Sequence, residues 1–307
     1  MQVTAIGGAT IDVVVAGASL GSGTSAKQDV ESITMGVGGG AVNASLACQA
    51  CEARVRIVCA VGGDAEGEWL RSALAREGID LSLVQSVAGL PTGRAVIHLG
   101  ADAEARVFAQ RGASTGVAPA RALEAIGRSD LLYVTALSAQ AEAEFDGALE
   151  RLAVRLPRLA INPGMRQIES RSPALERLIM RADLVSMNEQ EVRRWAVQRE
   201  RRLPDDPHAD GSAWMAAMLP RQGQSLLVTL GSRGAVLYDG GRVHRIEARK
   251  VSVRSTLGAG DAFGATFACR WAAGQPIREA LEAARAYCVQ VLQVPAANLA
   301  GRPPAVP

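Results

Sequence analysis

From Pro119 onward the chain alternates short β-prone runs with longer helical ones, and this alternation constrains its fold more than any other feature. It predicts a helix over 119–126, a strand over 130–135, a helix over 139–156 and a strand over 159–162. Further strands are expected over 183–187, 225–229 and 235–238, and an Ala-rich amphipathic helix over 277–292. Strands separated by helices of this length read as crossover units, so the expected fold is an α/β doubly wound, mostly parallel sheet flanked by helices. The N-terminal part fits the same scheme, with strands over 3–8, 55–60 and 79–87 and helices over 43–51 and 68–77. Two β-prone segments around the polar turn 100–104 break it. With the weaker segments 11–16 and 29–35 they predict a small β lid. The expected organisation is one domain over 1–307, with lid strands inserted at about 11–36 and 93–112.

At 307 residues the chain is long enough to bury a continuous core. Its 33 basic and 31 acidic residues nearly cancel, so nothing in the global charge calls for a nucleic acid or a membrane as partner. No apolar stretch approaches the roughly 18 residues of a membrane span, and the first residues enter a strand pattern without a signal-type core. Five cysteines make no disulfide framework, and a cytoplasmic location is expected. Cys48 and Cys51 have metal-site spacing but sit in an Ala-rich helical run without a second pair, and they read as packing.

The chemistry concentrates in Ser255-Thr256-Leu257-Gly258-Ala259-Gly260-Asp261-Ala262-Phe263, directly before an apolar helical run. Unpaired N–H groups at a helix N-terminus, with the dipole behind them, form an anion site. Gly258 and Gly260 allow close backbone approach, and Asp261 reads equally as a base beside the anion or as a helix cap. Asp12 is expected at the carboxyl end of a strand, where an open sheet gathers ligands, or else as an ordinary turn residue. Asp64 suits the cap of the next helix. Asn188 and Glu191 follow a strand and fit either phosphate chemistry or an acidic helix start. Gly36-Val37-Gly38-Gly39-Gly40 precedes a helix, but its spacing is not the dinucleotide fingerprint.

The nonapeptide resembles the second signature, D-T-x-G-A-G-D-x-F, of the PfkB or ribokinase-like family of ATP-dependent carbohydrate and nucleoside kinases. The resemblance implies that Asp261 is the catalytic base and that Gly258, Ala259 and Gly260 form the anion hole. Four further motifs follow in family order. Asp12 and the set Gly38, Gly39 and Asn43 resemble the acceptor-binding positions. Gly62, Asp64 and Gly67 match the first signature as structural support. Asn188 and Glu191 match N-x-x-E, which implies phosphate contact and water-mediated Mg²⁺ positioning by Glu191. Thr229, Gly231 and Gly234 match the stretch lining the ATP pocket. Arg166 reads as a contact to phosphate or an acidic acceptor, or as a surface residue, and residues 294–298 are expected on the adenine side. Ser255, in place of the signature's first Asp, and Pro295 both count against potassium activation.

The implied activity is ATP-dependent phosphorylation of a hydroxymethyl group on a sugar or nucleoside, with ATP and Mg²⁺ as cofactors. Gly40 in place of the ribokinase Lys, and Leu137 in place of a Glu, weigh against free ribose. The opening Gly7-Gly8-Ala9-Thr10-Ile11-Asp12 is closer to pseudouridine and related nucleoside kinases. A sugar- or nucleoside-binding protein without turnover is the rival class, motivated by Ser255. The resemblance further implies a homodimer through the lid.

Overall fold

A computed structural model of the chain describes residues 1–17, 27, 29–100, 105–123, 127–151, 157–206 and 212–301. Its strands are β1 (Gln2–Ile6), β2 (Thr10–Ala16), β3 (Ser32–Gly38), β4 (Arg54–Val58), β5 (Ala60–Gly62), β6 (Gln85–Val87), β7 (Gly93–Leu99) and β8 (Ala105–Gln110), followed by β9 (Leu131–Val134), β10 (Arg158–Ile161), β11 (Leu184–Asn188), β12 (Ser225–Thr229), β13 (Ala235–Asp239) and β14 (Arg242–Ile246). The helices are α1 (Gly40–Gln49), α2 (Ala65–Arg76), α3 (Ala139–Arg151), α4 (Met165–Ser170), α5 (Pro173–Arg181), α6 (Glu189–Gln198), α7 (Ser212–Met218), α8 (Ala259–Ala272) and α9 (Ile277–Leu292).

The eight-stranded central sheet runs β14-β13-β12-β11-β10-β9-β1-β4. Every pairing from β12 to β4 is parallel, and β13 and β14 close one edge antiparallel. The strand order reverses between β1 and β9, and ligands of open α/β sheets gather at the carboxyl ends of strands at such a switch. Helix α8 is buried on all sides from Ala262 to Cys269, which its Ala, Gly and Phe content allows, and it packs between α1 and α9. Cys48 of α1 donates its thiol to the Ala265 carbonyl of α8 at 3.7 Å, so the cysteine pair is packing. Among the described residues no cluster of side chains has the makings of a metal site, and no helix is long and apolar enough to cross a membrane.

The lid is a second sheet of order β3-β2-β7-β8. Strand β7 alternates buried and exposed residues, as the period of a strand with one covered face requires. Val14, Ala95, Ile97 and Leu99 turn inward and pack with Leu257, whereas Ile33, Met35, Val96 and Phe108 stand exposed on the outer face. His98 is on β7, opposite Val15 and Arg106.

Several expectations are corrected. Asp12 lies in the middle of lid strand β2, not at the end of a central strand, because the chain turns out of the sheet at Gly7-Gly8. The strand expected over 79–87 shrinks to Gln85–Val87. The segment 119–126 starts as a 3-10 turn, Pro119–Ala122, and residues 124–126 lie outside the described residues, as do most of the Gly- and Ser-rich 17–26 and the tip of the lid hairpin at 101–104. Strand β14 was not expected; it pairs residue for residue with β13 as an exposed edge whose pattern is weakly apolar.

Candidate active site

Helix α8 begins earlier than its apolar run suggests, at Ala259, with Gly258 as N-cap in the left-handed region at φ 70°. Asp261 therefore stands inside the first turn and does not cap its own helix, which has no side-chain cap bond. Among the described residues no acceptor meets the N–H groups of Gly260 and Asp261, while Ala262 N–H already bonds the Gly258 carbonyl at 2.9 Å. Donors and dipole are left pointing out of the helix end, the condition for holding an anion. Gly258 has no alternative residue, since a Cβ there would overlap the Ala297 carbonyl oxygen.

Asp261 meets Asn43 across the fold: Asn43 Nδ2 donates to Asp261 Oδ2 at 2.9 Å. Burial pushes the Asp261 carboxyl up to about 6, against the lowering effect of that bond. Asn43, expected to clamp an acceptor hydroxyl, is thus engaged with the base. Its own Oδ1 accepts from Asn298 Nδ2 at 2.8 Å. Asn298 accordingly lies beside Asn43 and lid strand β3.

Asn188 and Glu191 form a reciprocal capping box at the start of α6. Glu191 N–H donates to Asn188 Oδ1 at 2.9 Å, and Asn188 N–H donates to Glu191 Oε2 at 2.8 Å. The helix-start reading of this pair is therefore fulfilled. Burial, aided by the charge of Asp261, also pushes the Glu191 carboxyl up to about 7. Thr229 pairs directly with Asn188 across β11 and β12, and Gly231 and Gly234 shape the turn that follows. Arg233 in that turn ion-pairs with Glu189 of α6 and with Asp206, at 3.0 Å for the latter, and ties the turn to the capping box. The sequence reading passed over Arg233.

On the lid side, Asp12 is buried, Thr10 Oγ1 donates to its Oδ1 at 2.7 Å, and burial raises its carboxyl above the usual range. Gly38 lies against this carboxylate with no room for a Cβ, and Gly39 caps α1. A cavity of about 370 Å³ opens at the switch between β1 and β9, with Gly8, Leu137, Arg111, Arg166, Glu142 and Gln167 in its wall. Arg166 is therefore a cavity residue, and Arg111, which carries no motif, joins it there. Glu142 is buried, accepts from Gln167 Nε2 at 2.7 Å through one oxygen, and leaves the other without a partner. Asp64 has the structural duty expected of it: its Oδ1 accepts from Gly67 N–H at 2.9 Å and from Thr92 Oγ1 at 2.5 Å.

Ser255 is buried and its Oγ accepts from Leu257 N–H at 3.1 Å. A neutral hydroxyl engaged in its own turn is a poor ligand for a monovalent cation. Glu191 also senses the negative charge of Asp261 across the site.

The chain is 26% identical to a ribokinase from Haemophilus influenzae over 238 residues, 75% of this chain and 72% of that protein. It is 35% identical to fructoselysine 6-kinase from Escherichia coli over 79 residues, and the match spans only 30% of that relative's length. Among solved structures, ribokinase from Arabidopsis thaliana, complexed with ribose and ATP, superposes with a TM-score of 0.78 at 25% identity, covering 96% of this chain and 93% of that one. A Burkholderia thailandensis nucleoside kinase in complex with inosine has the same fold, with a TM-score of 0.75, 18% identity and coverage of 96% and 93%. With a model of the pfkB family of carbohydrate kinases matching residues 2–303 and this fold around the helix-end anion site, the chain belongs to the pfkB family.

Proposed function

We propose that this protein transfers the γ-phosphoryl group of ATP to a hydroxymethyl group of a sugar or nucleoside, with Asp261 as general base. The observation that carries the reading is Asp261 in the first turn of α8, beside unpaired N–H groups and three residues from Gly258. In-line phosphoryl transfer needs positioning and charge stabilisation more than covalent chemistry. Asp261 takes the proton of the acceptor hydroxyl, and the free N–H groups of Gly260 and Asp261 hold the charge that develops on the migrating group. Asp12, Gly38, Gly39 and Arg166 line the acceptor side. Asn188, Thr229, Gly231 and Gly234 border the nucleotide side, at the ends of β11 and β12. Glu191 would hold a hydrated magnesium ion, which when bound would neutralise phosphate charge.

The test is ADP production with MgATP against ribose, fructose, 2-keto-3-deoxygluconate, adenosine, inosine and pseudouridine, each with and without K⁺. Turnover on one acceptor is expected, unchanged by K⁺ because Ser255 and Pro295 provide no cation ligand set. A K⁺ requirement would overturn that part. ATP binding without turnover on any acceptor would favour the binding-protein reading. A nucleoside acceptor, pseudouridine included, is favoured over free ribose by Gly40 and Leu137.

The outer lid face supports a homodimer. Ile33, Met35 and Phe108 are 65%, 58% and 63% exposed on one face of the lid sheet, a surface that calls for a partner. Replacing Phe108 with Glu should convert a dimer to a monomer by light scattering while the chain stays folded. A wild-type monomer at tens of micromolar would refute this assembly.

A further inference from the structure

Asn298 comes from the C-terminal turn and has no place in any of the motifs, yet its bonds determine how the base is held. Its Nδ2 donates to the Val37 carbonyl at 2.7 Å and to Asn43 Oδ1 at 2.8 Å, while its Oδ1 accepts from Ala300 N–H at 3.1 Å. A backbone carbonyl only accepts and a backbone N–H only donates, so Val37 and Ala300 leave the Asn298 amide a single orientation. The second amide hydrogen of Asn298 then needs an acceptor. Asn43 supplies Oδ1, and its own NH₂ group is thereby turned to Asp261 Oδ2 at 2.9 Å. Both asparagines are 6% exposed. Reversing Asn43 would set two N–H groups against each other and two oxygens against each other, away from water.

We propose that Asn298 is a positioning residue for phosphoryl transfer: it fixes the polarity of the Asn43 amide so that a donor always faces the base, and it fastens that base to the end of lid strand β3. The proposal rests on the reading of Asp261 as the base. A donor on Asp261 favours its ionised form and holds the oxygen that must meet the acceptor hydroxyl. The turn that carries Asn298 also supplies the Ala297 carbonyl that packs on Gly258, so lid, base and anion hole share one support.

The chain has four asparagines, at 43, 162, 188 and 298, so selective ¹⁵N-asparagine labelling gives four side-chain NH₂ pairs. In the wild type the Asn43 pair should be protected from exchange and should move when Asp261 is replaced by Ala. In Asn298→Asp the new carboxylate only accepts, so the Asn43 amide should reverse. Its NH₂ signals should shift and stop responding to Asp261→Ala. With whichever acceptor the substrate panel identifies, kcat should fall about tenfold or more, with both KM values changed by about twofold or less. Asn298→Leu removes the acceptor and the donor together; it should release the Asn43 amide and lower kcat likewise, and it serves if the Asp variant fails to fold. Unmoved Asn43 signals in folded Asn298 variants would overturn the proposal. So would moved signals with unchanged kcat, or a loss confined to acceptor KM. If the wild type turns over no acceptor, it is the kinase reading that fails, and the labelling experiment still decides the orientation of the amide.

Discussion

Replacing Asp261 with Asn should cut kcat by about 10² to 10⁴-fold while making the protein more stable at neutral and alkaline pH. Asn keeps the shape and, through its Oδ1, still accepts the Asn43 amide, so the folded state has no reason to change. It cannot take a proton. The stability gain follows from the raised carboxyl: burial puts Asp261 at about 6, above the 3.8 of an ordinary Asp. A carboxyl raised in the folded state binds its proton more tightly there than when unfolded. Its cost to the fold is therefore absent below about pH 4, grows between pH 4 and 6, and is complete above pH 6. Full ionisation costs on the order of 3 kcal/mol, so Asp261→Asn should melt several degrees higher at pH 8 and no higher near pH 4. For the wild type the same ionisation predicts a rate that falls as pH drops through about 6. Thermal melts at the two pH values and a kcat profile check all three. A variant that keeps turnover within tenfold would remove Asp261 from the mechanism.

The two glycines of the anion hole should separate stability from chemistry. Gly258 holds φ 70°, and a Cβ there runs into the Ala297 carbonyl, so Gly258→Ala should lose about 2 to 4 kcal/mol of stability together with most activity. Gly260 is helical and faces open space on the side where a Cβ would project. Gly260→Ala should fold as well as the wild type or better, because Ala outdoes Gly in a helix by about 1 kcal/mol. Its kcat should nevertheless drop by about 10²-fold, because the new methyl occupies the space through which the phosphoryl group reaches the N–H groups. Urea unfolding and kcat on the same samples read both effects. Equal stability losses in the two variants, or full activity in Gly260→Ala, would contradict the anion-hole geometry.

Legibility differed among the predicted residues in a way that tracks the distance over which each is determined. Helix Ile277–Leu292 and strand Ser225–Thr229 appear with the expected bounds because periodicity is a local property. The Asp64 cap was visible for the same reason, its partner Gly67 lying three residues away. Asn188 and Glu191 were visible as a pair, and their spacing satisfies a capping box whatever else they do. Asp12 was expected at the end of a strand although segment 11–16 was already assigned to the lid, because two glycines after β1 do not reveal where the next strand begins. Arg111 and Arg166 meet only at the cavity wall, and no spacing between them foretells it.

The sequence by itself determined the layered sheet, the lid, the glycine-flanked carboxylate ahead of a buried helix, and the pfkB motifs in order. Each of these depends on side-chain period, turn chemistry or short spacing, which a chain carries locally. Only the tertiary structure decided that Asn43 faces Asp261 across 218 positions and that Asn298 reaches back 255 positions to orient it. It alone decided that burial raises the Asp261 and Glu191 carboxyls together. Amide polarity and desolvation are set by the groups that packing brings around a side chain, and those groups come from the far ends of the chain.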